Sequence, residues 1–337
     1  MTSFIGLIIV LGLVVLVHEL GHFLAARKFG VKVVAFSIGF GLGKPLLKWK
    51  DKRGTEWRLG WLPLGGYVEL YEDKDNKGKK GSLSAAPNWK KAIIMVSGVA
   101  LNFLLAWVIF LFLFAAKPEQ IIKPTIGTVV ENSLAERAGV QPGWTVRSIS
   151  GNPINEWSDL IKTKTYAGNK IVRIDFDNGE TVRLLADKPW GIIPQIPENP
   201  EFKKRTPLGV ISRATTETYQ QSKLLFIVIR QLITGDRDSK QLGSFIMIAE
   251  MAGMALNAGI FALLAMIAML SINLGVINLL PIPALDGGHL LIILIESVTR
   301  RKLNEKAKNY VILAGWAVII ALMALALKND IMRVLGL

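Results

Sequence analysis

Residues 3–26 read SFIGLIIVLGLVVLVHELGHFLAA. From Phe4 to Val17 every residue is apolar or glycine, and the whole stretch exceeds the ~20 residues that a bilayer core requires of a spanning helix. Three ionisable side chains then arrive together as His18, Glu19 and His22. On a helix, residues four apart share a face, so both histidines can reach one metal. Glu19 lies beside them, placed to take a proton from a water polarised by that metal. This is the H-E-x-x-H pattern of zinc hydrolases. A carboxylate at the centre of a spanning helix costs about 2.5–3.5 kcal/mol, and such residues are functional by default. The stretch therefore predicts a hydrolytic site inside a membrane span. It does not read as a secretory signal peptide, because MTSF carries no basic residue and the apolar run is too long.

The rest of the chain supports a membrane setting. Its 337 residues are 51% hydrophobic, with a mean hydropathy of +0.39, which points to several spans. Four stretches are long enough: roughly 3–26, 93–116, 258–280 and 309–327. There is no cysteine, which rules out disulfides and thiolate zinc sites. The only histidines are His18, His22 and His289.

A net charge of +14 raises the question of nucleic acid, and its distribution answers it. Residues 27–91 hold 15 Lys+Arg against 6 Asp+Glu, and TRRKLNEKAK at 299–308 holds five basic residues and one acidic. Residues 117–257 hold 18 basic and 15 acidic. Excess positive charge beside alternate span ends is the positive-inside pattern. It places 27–92 and 299–308 in the cytoplasm, with the N-terminus, 117–257 and the C-terminus outside, and it leaves no reason to invoke nucleic acid. At 1.5 Å per residue, His18 then lies roughly 20 Å below the outer end of the first span.

A catalytic zinc wants three protein ligands and one open position. Two histidines are in hand, so a third ligand is needed at similar depth. Residues 278–289 read NLLPIPALDGGH, just after the third span. Prolines and glycines break the backbone there, and broken backbone at membrane depth is tolerated only where it lines a cavity or is buried in protein. Asp286 and His289 are both candidates by composition, and Asp286 could equally cap the helix expected over 290–298.

Between the first two spans, Thr55–Trp61 and Tyr67–Leu70 read as short strands, interrupted at Pro63 and Gly65-Gly66. Residues 72–82 form a polar loop, and 221–234 read as a helix that either lies in the outer interface or packs as a soluble helix.

HELGH in a first span followed by N-x-x-P-x-P-x-L-D-G-G in a late one resembles the site-2 protease family of intramembrane zinc metalloproteases. FSIGFG at 36–41, RGTEW and PLGGYV within 53–68, and LNF at 101–103 resemble its bacterial regulator-of-sigma-E protease type. The likeness implies one zinc per chain, ligated by His18, His22 and Asp286, with Glu19 as catalytic acid/base. It implies that Asn102 and Asn278 sit near the site and bind substrate, although Gly98-Val99 stands where the family has Gly-Pro. It also implies that Gly65, Gly66, Tyr67 and Val68 belong to a membrane-associated β-hairpin that holds an unwound substrate by strand addition. Residues 124–188 resemble one PDZ domain, with Ile126, Gly127, Thr128 and Val129 along its groove.

The expected protein is thus a polytopic α-helical membrane protein with four spans, a membrane-associated β-hairpin or sheet and one α+β PDZ domain. Residues 1–116 and 258–337 form the membrane parts, 120–188 the PDZ domain, and 189–257 a linker with an interfacial helix. By resemblance it sits in the lipid bilayer of a bacterial inner membrane. It cleaves single-span membrane proteins already trimmed outside, such as an anti-sigma factor, or remnant signal peptides. The competing reading is a PDZ-bearing receptor or scaffold with a structural metal.

Overall fold

The computed structural model describes all residues except 41–43, 74–78, 118, 200, 204, 237–243, 302 and 336–337. Gly41 of FSIGFG and the middle of the 72–82 loop therefore lie outside the described residues. In chain order the elements are α1 (Thr2–Lys28), β1 (Val33–Phe40), β2 (Leu47–Lys50), β3 (Glu56–Leu59), β4 (Leu62–Leu70), α2 (Asn88–Ala116), β5 (Ile126–Val129), α3 (Leu134–Arg137), β6 (Val146–Ile149), β7 (Asn152–Pro153), α4 (Trp157–Ala167), β8 (Ile171–Phe176), β9 (Thr181–Leu185), β10 (Ile192–Pro194), α5 (Pro207–Thr234), α6 (Phe245–Asn257), α7 (Ile260–Leu279), α8 (Asp286–Thr299) and α9 (Glu305–Val334). They form two compact units, Met1–Leu113 with Leu242–Leu337, and Phe114–Gln241.

The first unit holds the membrane part. Among the described residues, four helices are long and apolar enough to cross a bilayer: Thr2–Lys28, Asn88–Ala116, Ile260–Leu279 and Lys306–Arg333. The protein is a multi-pass membrane protein with these candidate spans. Small residues let them approach closely, as in membrane bundles generally. A Cβ on Gly6 would stand 2.6 Å from the Ala252 carbonyl oxygen, and one on Gly21 would stand 2.3 Å from that of Ser97. α6 is a short apolar helix packed on α1. Its first turn is held by the Asp330 carboxylate of α9, which accepts from the Ser244 and Met247 amides at 2.9 and 3.1 Å.

This unit carries the expected β-sheet, in a strand order that local turn chemistry does not reveal. Its order is β2-β3-β1-β4, with β1 and β3 parallel and β4 antiparallel to β1. β4 runs straight through Pro63 and Gly65-Gly66 and pairs with β1, not with β3. Proline and glycine are tolerated because β4 is an edge strand, whose outer side has no ladder to complete, and because the β1–β4 register shifts between Ile38 and Phe40. A Cβ on Gly66 would stand 2.5 Å from the Ser37 carbonyl oxygen, so the close pairing needs glycine there. Phe23, Phe36 and Trp57 pack edge to face between α1 and the sheet, and Arg27 at the end of α1 bonds to Asp51 and Thr55. The metal-motif helix is thus fixed to the sheet that carries β4.

The second unit builds its own core from Ile126, Ile149, Leu160, Ile174 and Trp190. β7-β6-β8-β9 form one sheet, and β10 pairs with β5 in another. Two expectations change here. The helix expected at 221–234 begins at Pro207, behind the Thr206 N-cap. It packs on α4, with Gln231 Nε2 donating to the Tyr166 carbonyl at 3.0 Å and Lys162 Nζ donating to Gln220 at 2.7 Å. The strand Ile126–Val129 also pairs with a strand from the expected linker, so one of its edges is taken. It is laddered to β10, while the Ile126 amide donates to the Trp144 carbonyl and its carbonyl accepts from Gly143.

This unit neutralises its buried charge internally. Glu119 accepts from Arg213 at 2.8 and 3.2 Å and from Arg205, and Arg213 also pairs with Glu217. Burial alone would raise the Glu119 carboxyl, but the Arg213 and Arg205 guanidinium groups outweigh it and hold it below the ordinary glutamate value.

Candidate metal centre

α1 brings His18 and His22 to one face as the four-residue spacing requires, and both are buried. Asp286 meets them from the start of α8. Its position comes from the broken segment after α7. Ala284 adopts φ 134°, a conformation that L residues rarely take and that costs of order 1–3 kcal/mol. A Cβ on Gly287 would stand 2.2 Å from the Leu280 carbonyl oxygen, and one on Gly288 would stand 2.4 Å from that of Ile282. The two glycines let the first turn of α8 fold back under the α7 end, and this aims Asp286 at α1. α9 closes on the same segment, since a Cβ on Gly315 would stand 2.3 Å from the Pro283 carbonyl oxygen. Asp286 is the first residue of α8, with Leu285 at the N-cap, so its side chain is not spent on capping. His289 is exposed and lines a separate cavity with Glu296 and Lys308.

Three atoms converge. His18 Nε2 and His22 Nε2 lie 3.2 Å apart, and Asp286 Oδ2 lies 3.2 and 3.3 Å from them. Ligands 2.0–2.1 Å from one tetrahedral zinc stand about 3.3–3.4 Å apart, so the spacing fits that ion. The donor chemistry fits as well. His22 Nδ1 lies 2.7 Å from the Ile94 carbonyl oxygen, which can only accept. Nδ1 therefore carries the proton, and Nε2 of the neutral ring offers a lone pair to the centre. Asp286 Oδ2 is buried without a hydrogen-bond donor. Lone pairs gathered at van der Waals distance call for a cation, and among the described residues these three are the group able to hold a metal.

Glu19 is half-buried beside them, and β4 packs against the α1 helix that carries it. Gly65 is buried at φ 101°, while Tyr67 turns its hydroxyl to Arg58 at 2.7 Å. Asn102 is fully buried, with Nδ2 3.3 Å from His18 Nδ1. Asn278 is buried on α7 and makes no side-chain hydrogen bond among the described residues. Gly98-Val99, where a turn was in question, lies inside a continuous α2.

Two supports were missed by sequence reasoning. The Ile94 carbonyl that orients His22 is a backbone group and leaves no trace in residue type. Gly98 is the other: a Cβ there would stand 2.4 Å from His22 Nε2 and 2.9 Å from His18 Cε1. A glycine one turn before Asn102 in an apolar helix was the available signal.

Two histidines and a carboxylate converging on one point, with a glutamate beside them and with the histidines and the glutamate carried on a candidate spanning helix, define a metallohydrolase centre in a membrane protein. The family model described as Peptidase family M50 matches residues 6–322, and the chain belongs to that family. It is 34% identical to a Rickettsia conorii protein described as "Putative zinc metalloprotease", covering 98% of this chain and 99% of that one. It is 33% identical to an Agrobacterium fabrum protein of the same description, over 98% and 95% of the two chains. It is 31% identical to Metalloprotease MmpA of Caulobacter vibrioides, again over 98% and 95%. The chain is accordingly a zinc metalloprotease, with His18, His22 and Asp286 as its candidate metal ligands.

Proposed function

We propose that this metalloprotease cleaves peptide bonds within the membrane, in single-span substrates already shortened outside, such as an anti-sigma factor or a remnant signal peptide. One observation carries the reading: the metal motif lies at residues 18–22 of the candidate span Thr2–Lys28. A protease whose ligands sit inside a span acts on bonds that reach that depth.

Zinc, when bound, supplies the positive charge that activates water and polarises the scissile carbonyl. Glu19 takes the proton from that water and returns it to the leaving amine, the usual role of a carboxylate at this position. His18, His22 and Asp286 would hold the ion. A transmembrane helix keeps its carbonyls and amides bonded to one another, so it must unwind before attack. The outer edge of β4 at Gly65–Val68, on a strand packed against α1, is the surface we assign to receive the unwound strand. Asn278 is assigned to the same subsite on family likeness.

The charge distribution supports residues 27–92 and 299–308 in the cytoplasm, with both termini and 120–188 outside. We read the second unit as carrying the PDZ domain. Its proposed groove stays at Ile126, Gly127, Thr128 and Val129 of β5, a strand that β10 covers on one edge. Residues 1–116 and 258–337 are then the membrane parts, with 189–257 joining them to the PDZ domain.

The test is cleavage of a tagged single-span segment by the purified full chain in proteoliposomes, with the cut mapped by mass spectrometry. A cut inside the apolar segment, faster when a helix-breaking residue is introduced nearby, is the expected result. Cuts confined to the polar flanks would sink the intramembrane reading.

A further inference from the structure

Ile94, Gly98 and Asn102 follow one another at four-residue intervals and form one face of α2 against the two histidines. Ile94 presents its carbonyl to His22 Nδ1 at 2.7 Å. Gly98 leaves room for both rings. Asn102 presents its carboxamide to His18 Nδ1 at 3.3 Å. The other ring nitrogens, both Nε2, point at Asp286. We infer that Asn102 is a positioning residue for His18: its side-chain oxygen accepts from His18 Nδ1–H and so fixes the tautomer that leaves Nε2 free for zinc. It is not a substrate-binding residue.

Ring chemistry requires this arrangement. If Asn102 Nδ2 donated to His18 Nδ1, the neutral ring would carry its proton on Nε2, and that atom could not ligate. A half-turn of the carboxamide exchanges its oxygen and nitrogen in nearly the same space. It gives Oδ1 its donor and leaves Nε2 with a lone pair. Metal-bound histidines commonly hand their second nitrogen to such an acceptor, and losing it typically costs 10–100-fold in metal affinity.

The surroundings hold Asn102 in that role. It is 0% exposed, so a substrate chain has no access to it. Its backbone carbonyl accepts from Ser271 Oγ of α7 at 2.9 Å. Gly275 of α7 comes close enough that a Cβ there would lie 3.6 Å from Asn102 Cβ. α2 therefore serves both metal-ligating histidines, one by a backbone oxygen and one by a side-chain oxygen.

The inference rests on the zinc-protease assignment and not on any substrate. It is tested on the purified full chain in detergent with two variants, Asn102→Leu and Asn102→Asp. Zinc affinity is measured by chelator competition, and the ligand field by the visible absorption of the Co2+-loaded protein. Asn102→Leu keeps the volume and removes the acceptor: zinc binding is expected to weaken about 10–100-fold, with an altered cobalt spectrum. Asn102→Asp keeps an acceptor oxygen and loses the donor, and it is expected to bind zinc at least as tightly as wild type. If Asn102 instead donates to substrate, both variants bind zinc as wild type does and lose only cleavage, which overturns the inference alone. Should the leucine variant not fold, Asn102→Ala takes its place: weakened zinc binding with an altered cobalt spectrum supports the role, and wild-type affinity overturns it. A wild type that binds no zinc overturns the inference together with the assignment beneath it.

Discussion

The two units of this chain treat buried charge in opposite ways. In the second unit, Glu119 and Glu217 meet Arg205 and Arg213, so both of these carboxylates find a cation supplied by the chain. In the first, His18, His22 and Asp286 bring two ring nitrogens and a carboxylate oxygen together at 3.2–3.3 Å, with no cationic side chain among them. Unpaired lone pairs in a buried site are costly. A fold that settles its charges internally in one place and leaves them open in another marks the second place as a site for something from outside the chain. Here that is a divalent cation.

The contrast breaks most sharply if the metal is removed. Chelation should abolish cleavage, and added Zn2+ should restore it. Hydrogen exchange in Phe114–Gln241 should not change, because that unit owes nothing to the ion; slowed recovery together with loosening there would erase the distinction. Next in size is Gly98→Ala. The added methyl would fall 2.4 Å from His22 Nε2, so zinc affinity in chelator competition should fall about 10–100-fold, as for lost support around a metal ligand. Affinity equal to wild type would mean that α2 is not packed against the histidines.

Smaller effects belong to the self-neutralised unit. Arg213→Ala leaves Glu119 with Arg205 alone and takes the cation from Glu217, and it should cost about 1–3 kcal/mol of local stability, read as faster hydrogen exchange in α5 with zinc content unchanged. The smallest effect is on pH. Glu119 is held below its ordinary value, so its contribution is complete above about pH 4.3, the unfolded value, and fades as pH falls through the folded one. Glu119→Gln should remove that acid-sensitive component of protection in the second unit. An unchanged acid profile would show that Arg205 and Arg213 do not govern it.

Much of the metal centre was legible in the sequence because its chemistry is carried by rare residue types. Ionisable groups inside an apolar run are conspicuous, so His18, Glu19 and His22 announce themselves. Asp286 was an open choice against His289 by composition, and family likeness decided it. The structure supplies the physical reason: Gly287 and Gly288 fold α8 back under α7 and aim the aspartate at α1. The four spans were equally plain, since length and hydropathy suffice for them. The sheet was less so. β4 was read as broken at Pro63 and Gly65-Gly66, because local turn chemistry cannot reveal that an edge strand tolerates both. β1 and β2 escaped because their pairing is set by partners distant in the chain. Gly98 and the Ile94 carbonyl carry no side-chain chemistry to read. The strand Ile126–Val129 looked unpaired until β10, from residues assigned to a linker, took one of its edges.

The most direct test of the central claim compares wild type with Glu19→Gln in proteoliposomes, measuring cleavage of a tagged single-span segment and zinc content on the same samples. The account predicts about one zinc per chain in both, because Glu19 is not a ligand, and a loss of cleavage of at least about 10²–10⁴-fold in the variant. Equal cleavage by the two proteins, with zinc bound to both, would contradict it.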